Sequence, residues 1–182
     1  IRQARRRFYG DSPAGIERNG YLDEVDGLTA DAVTRAYARM VEQAQIEVFV
    51  LGADVDAVAQ RLRTALSGLR RAPEELPAPI AMPAEEPRSF EEPLPTVQGK
   101  LCMLFTTGEP FAPQDLSALR VAVALLGGTP TSRLFQNVRE KQSLCYYCAA
   151  SYSAMTGLLC IDSGIEHENA ARAKAAILHE LE

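Results

Sequence analysis

The sequence is poor in the residues that hydrolytic metal chemistry requires. Among 182 residues there are two histidines, His167 and His179. A catalytic zinc takes two or three neutral imidazoles with a carboxylate or thiolate, at spacings that let them converge. These two are twelve positions apart, about 120° around a helix of 3.6 residues per turn. Neither HExxH nor HxxEH occurs, so no catalytic metal is expected in this chain. Cysteine is scarce as well. Cys102, Cys145, Cys148 and Cys160 are too few, and too apolar in context, for a disulfide scaffold, which points to a reduced, cytoplasmic setting. No apolar run is long enough to cross a bilayer, so no membrane contact is expected. Positive charge is in deficit, with a formal charge of −5. Nucleic acid, which needs a basic face, is therefore not expected as a partner. The start, IRQARRRFYG, has neither an initiator methionine nor a signal-peptide core, and the end, AAILHELE, stops inside a helical pattern. The chain is expected to be a fragment of something longer.

What is present is a mixture of helical and strand periodicities. Thr29 is a plausible N-cap for a helix whose apolar positions Val33, Ala36, Tyr37, Met40, Val41 and Ala44 recur at helical spacing. IEVFVLG (46–52) predicts a buried strand, and Asp54 caps a second helix with Val55, Val58, Leu62, Ala65, Leu66 and Leu69 on one stripe. Residues 73–95 then hold seven of the eleven prolines, interleaved with glutamates. Proline cannot donate to a ladder and breaks helices, so this stretch is expected to be an extended linker. Beyond it, GKLCMLFTTG (99–108) predicts a buried strand, and QDLSALRVAVALLGG a helix ended by Gly127–Gly128 in the left-handed conformation. TSRLFQNVREKQ predicts a helix capped by Thr131 or Ser132; CYYCAASYS and GLLCIDSG predict an antiparallel hairpin; a last helix begins near Glu168. The expected class is α+β, a mainly antiparallel sheet with helices packed on one face. The expected division is 1–72, a linker at 73–98, and 99–182.

Three motifs invite chemistry. CYYC (145–148) matches CxxC, but positions i and i+3 of a strand face opposite ways, so these are expected to be small buried hydrophobes. A four-thiolate site adding Cys102 and Cys160 is a remote alternative. LLGGTPTSR lacks the lysine and glycine spacing of a phosphate loop. Arg139 and Tyr146 lie seven apart across a helix-to-strand join. A guanidinium and a phenol held together can stabilise a carbonyl oxygen that gains negative charge. On spacing alone, an arginine in a last helical turn and a tyrosine in a strand are equally ordinary structure, and that reading prevails.

The motifs in order change the balance. A glycine pair followed by SRLF, VREK, a leucine, a tyrosine and a hairpin closing on SGIE, with IEVFVLGADVD upstream, resembles the insulinase-type metallopeptidase superfamily, which includes pitrilysin and the mitochondrial processing peptidases. QGKL, LFQNVREK and SLCYY resemble most closely the bacterial insulinase-like subunits associated with the 5-aminopentanol modification of elongation factor P. The resemblance implies repeated α+β halves closing around a peptide-holding chamber. It implies that residues 1–72 end one half and 99–182 open the other, the zinc-free half. It further implies that Arg139 and Tyr146 contact peptide near the scissile carbonyl, while zinc is held by an HxxEH-bearing partner half or sister subunit. This chain alone is then expected to hydrolyse nothing. The rival expectation is a purely structural or interaction subunit of the same fold.

Overall fold

A computed structural model describes residues 1–52, 54–75, 82–84, 86–109 and 111–182. Contacts divide the chain into two units, residues 19–78 and residues 1–18 together with 79–182. Residues 1–18 thus group with the C-terminal sheet, where the sequence had placed them with residues 19–72. The reason is local: helix α1 (Arg2–Tyr9) touches the first strand, and Tyr9 is buried.

The smaller unit contains α2 (Ala30–Gln43) and α3 (Val55–Ser67). Both caps form as their residue types predict. Thr29 Oγ1 accepts from Ala32 N, and Asp54 Oδ1 from Ala57 N, each at 3.2 Å, satisfying donors that a helix start leaves unpaired. After α3 the chain returns to the end of α2. There Ala72 N and Glu74 N donate to Glu42 O and Gln43 O at 2.9 Å, and the Arg71 guanidinium donates to the carbonyls of Val41 and Ala44. The strand expected at 46–52 does not form. A strand needs a ladder partner, and among the described residues none pairs with this stretch, whose Phe49 and Leu51 lie exposed. Within the expected linker, residues 76–81 and 85 lie outside the described residues; the others form no helix or strand.

The larger unit is built on a three-stranded antiparallel sheet, order β1-β3-β2, of β1 (Gly99–Thr106), β2 (Cys145–Ser153) and β3 (Leu158–Ile165). β1 is an edge strand and only half-buried, less enclosed than its apolar run suggested. Ile161 and Ile165 of β3, with Cys148 and Ala150 of β2, point to one face. Leu134 and Val138 cover it together with Ala173 and Ile177 of helix α5 (Ala170–His179). Buried Glu180 fastens these covering helices together, accepting from Arg133 Nε and Asn137 Nδ2, both at 2.9 Å.

Between β1 and β2, helix α4 (Leu116–Val123) runs into a wide π turn, Ala124–Gly128, and a second π segment spans Leu134–Glu140. Two expectations fail here. Gly127 is not left-handed, with φ −158° and ψ 15°. It is small because the turn abuts β2, and a Cβ there would stand 2.6 Å from Ala150 N. Nor do Thr131 or Ser132 cap the next helix by their side chains. Thr131 Oγ1 pairs with Thr129 Oγ1 at 3.1 Å, and the buried Ser132 hydroxyl has no partner among the described residues.

Candidate functional site

Arg139 is placed by the end of the Leu134–Glu140 segment. Leu134 and Val138 fix one side of that helix in the core, so Phe135 and Arg139, four apart, lie together on a neighbouring side. The Arg139 guanidinium carbon sits 4.7 Å from the centre of the Phe135 ring, a cation–π contact that restrains the plane of the fork. The helix closes irregularly. Lys141 N donates to Gln136 O at 3.0 Å, Ser143 N to Arg139 O at 3.0 Å, and Leu144 N to Val138 O at 3.2 Å. Ser143, at φ 51°, is the only non-glycine residue with positive φ among the described residues. Such backbone is costly outside glycine and concentrates at functional positions; π turns do the same.

Tyr146 is placed by a β-bulge. Cys145 pairs with Ile165 and Tyr147 with the adjacent Gly164, so Tyr146 is the extra residue, without a ladder partner. Bulges re-aim side chains, and this one leaves the Tyr146 ring half in solvent. Its hydroxyl donates to Glu166 Oε1 at 2.9 Å, and that hydrogen bond, with the carboxylate's charge, raises the phenol pKa above its usual 10. Arg139 Nε donates to the main-chain oxygen of Tyr146 at 2.8 Å, and Nη1 to the neighbouring Glu140. Nη2 has no hydrogen bond among the described residues. Arg139, Glu140, Ser143, Cys145 and Tyr146 together line an open pocket of about 290 Å³. A larger dip of about 370 Å³ is walled only by residues 3–11 around α1; one helix and its turn bring no separate elements together, and we give it no role.

The bulge also corrects the reading of CYYC. It shifts the strand phase by one, so Cys145 and Cys148 fall on the same face, with Ile165 and Ser163. The neighbouring Cys148 thiol, helped by Ser163 and Arg139, favours ionisation of Cys145 against burial. Cys102 and Cys160 belong to the opposite face, beside Asp162 and Leu104, so the two thiol pairs cannot share one ion. His167 and His179 are exposed and do not line this pocket, and His179 Nδ1 is 3.9 Å from Glu182 Oε2. Among the described residues no three His, Cys, Asp or Glu side chains gather as a metal site, and the donor set does not fit zinc. No helix among them is long and apolar enough to cross a membrane.

The sequence-chosen pair therefore shares one pocket, with the guanidinium touching the tyrosine's backbone rather than its ring. Sequence reasoning missed Glu166 and Phe135. Phe135 had a signal, being four residues before Arg139. Glu166 stands at the end of β3, level with the bulge, and only the register reveals that.

Comparison with known proteins adds the lineage. The model of a family described as "Peptidase M16 inactive domain" matches residues 27–182. The chain is 32% identical over 176 residues to the Bacillus subtilis "Probable inactive metalloprotease YmfF", covering 94% of this chain and 41% of that one. It is 32% identical over 173 residues to the Streptomyces coelicolor "Uncharacterized zinc protease SCO5738", covering 86% and 36%. A conserved protein from Enterococcus faecalis has a crystal structure that superposes with a TM-score of 0.76 at 28% identity, over 98% of this chain and 42% of that one. A peptidase M16 inactive domain from Pseudomonas fluorescens, at 19% identity, shares the fold with a TM-score of 0.70, over 99% and 44%. The chain thus spans about two fifths of the length of these relatives.

Proposed function

Because this chain belongs to the family of peptidase M16 inactive domains, we propose that it forms the zinc-free wall of a peptide-holding chamber. In that chamber it offers Arg139 and Tyr146 to peptide bound against a zinc-bearing partner half or sister subunit. The observation that carries this reading is that both side chains line one open pocket, each delivered there by an irregular element, a π helix end and a bulge. Regular structure would have been cheaper. Arg139 is anchored through Nε and braced by Phe135, which leaves Nη2 to donate to a peptide carbonyl. The Tyr146 hydroxyl can exchange its bond to Glu166 for the same oxygen. Two fixed donors at a carbonyl stabilise the charge that develops as it is attacked, and one such donor is typically worth about 10²–10³ in rate.

Names of the relatives support a zinc-free role beside a zinc-dependent one: one is called an inactive metalloprotease, the other a zinc protease. The test is peptide cleavage by the purified chain, alone and together with an HxxEH-bearing half. The proposal expects cleavage only in the combination. Hydrolysis by this chain alone, abolished by a chelator, would overturn it.

One observation favours a second reading. The Tyr146 hydroxyl is already held by Glu166, and two arginine nitrogens are held by Glu140 and Tyr146 O, as a purely structural latch in an interaction subunit would require. In that case substitutions that spare the fold leave cleavage by the assembled protein unchanged.

A further inference from the structure

The sheet face turned away from the covering helices holds a second pair of cysteines. Cys102 stands opposite Asp162 and Cys160 opposite Leu104, so the two thiols are diagonal neighbours on adjacent strands, 58 residues apart in sequence. Their sulfurs lie 3.8 Å apart, and both are free thiols. That separation is close to van der Waals contact, where a disulfide needs about 2.05 Å. Closing the gap requires side-chain rotation and a shift of β1, which among the described residues pairs with β3 alone. Cys102 is half-buried, with the N-terminal ammonium of Ile1 beside its thiol.

We propose that Cys102 and Cys160 form a reversible disulfide stapling β1 to β3, made by exchange with a small-molecule disulfide. The Cys102 thiolate attacks one sulfur of the reagent, breaking its S–S bond, forming a mixed disulfide and releasing one thiolate. Cys160 gives its proton to solvent and displaces the second thiolate, leaving the Cys102–Cys160 bond. Two protein thiols are oxidised and one disulfide is reduced to two thiols.

The order of attack follows from the surroundings. The two thiols share one hydrogen bond in which either can donate. That bond, with the N-terminal ammonium of Ile1, favours ionisation of Cys102 against burial and nearby Asp162, and the same bond disfavours ionisation of Cys160. A thiol whose ionisation is favoured, half-exposed beside a resolving partner, is the arrangement that reactive thiols share. The Cys145 and Cys148 pair is less suited. Both of its members sit on one strand, so a bond between them would staple nothing, and Cys148 is packed in the core.

The experiment equilibrates the reduced full-length protein in graded mixtures of reduced and oxidised glutathione, traps free thiols by alkylation and maps peptides by mass spectrometry. A linked Cys102–Cys160 peptide, reversed by reductant, is expected. With Cys160→Ser a glutathione adduct should persist on Cys102, and with Cys102→Ser neither linkage nor adduct should appear at Cys160. The oxidised protein should unfold at a higher temperature than the reduced one. Absence of the linked peptide at every ratio, a stable adduct on Cys102 of the unsubstituted protein, or linkage through Cys145 and Cys148 instead would each overturn the proposal. The unsubstituted protein alone decides it if a variant fails to fold.

Discussion

Arg139 Nε donates to the main-chain oxygen of Tyr146 at 2.8 Å, so the end of a helix and the bulge of a strand are joined by the side chain that the candidate site uses. Arg139→Lys keeps the charge and loses the planar fork. The variant is expected to loosen the bulge while leaving the sheet intact. A hydrogen bond from a charged group contributes about 1.5–3 kcal/mol where it is well buried, and less at this half-exposed position. Amide hydrogen exchange at residues 145–147 should therefore accelerate by about tenfold, with protection at Ile161 unchanged. Equal acceleration across β3 would mean that the whole sheet had been weakened.

The Tyr146 phenol titrates above its usual value because it donates to Glu166 and because that carboxylate's charge disfavours the phenolate. A raised phenol pKa keeps the neutral, donating form over a wider alkaline range. Glu166→Gln is predicted to return Tyr146 towards about 10 and to move the alkaline limb of any Tyr146-dependent rate downwards in pH. Nuclear magnetic resonance of ring-labelled tyrosine measures this directly, and an unmoved titration would contradict the 2.9 Å contact.

Glu180 stabilises through charge. Burial would raise its pKa, but hydrogen bonds from Asn137 and Arg133 prevail and hold it below the usual carboxylate range. A depressed carboxylate contributes stability that is fully present above its unfolded value of about 4.3 and is lost as pH falls through the folded one. Glu180→Ala is expected to cost about 1 kcal/mol at neutral pH, through the two lost hydrogen bonds, since the half-exposed Arg133 is left to solvent, and less in acid. Urea unfolding at two pH values tests this; a loss that grows on acidification would contradict it.

The two adjacent glycines should differ. A Cβ at Gly127 would meet Ala150 N at 2.6 Å and Ala150 Cβ at 2.7 Å, whereas at Gly128 the nearest atom is Val123 O at 3.4 Å. Gly127→Ala is predicted to destabilise by about 1–3 kcal/mol through overpacking, with Gly128→Ala close to neutral. Thermal unfolding of the pair distinguishes this from a role in left-handed helix termination, under which Gly128→Ala would also be costly.

Local signals in the sequence were sufficient where one element settles its own structure. Thr29 and Asp54 cap their helices, and the Leu158–Ile165 hairpin strand follows from its apolar run and turn. They were insufficient wherever a neighbour decides. Residues 46–52 have strand composition and no ladder partner among the described residues; Gly127 answers to Ala150 on another element; Ser132 is buried instead of capping. For the candidate site, motif resemblance singled out Arg139 and Tyr146, which line one pocket, while the bulge that aims Tyr146 and turns Cys145 and Cys148 to one face was not legible. Nothing in the spacing of CYYC distinguishes a bulged strand from a regular one.

The most direct measurement is kcat/KM for peptide cleavage by the full-length protein combined with the proposed HxxEH-bearing half, carrying Arg139→Ala or Tyr146→Phe, alongside circular dichroism of each variant. The account predicts a fall of about 10²–10³ for each, mainly in kcat, with the fold unchanged. Cleavage at the unsubstituted rate by well-folded variants would contradict it and leave the pair as a latch between helix and sheet.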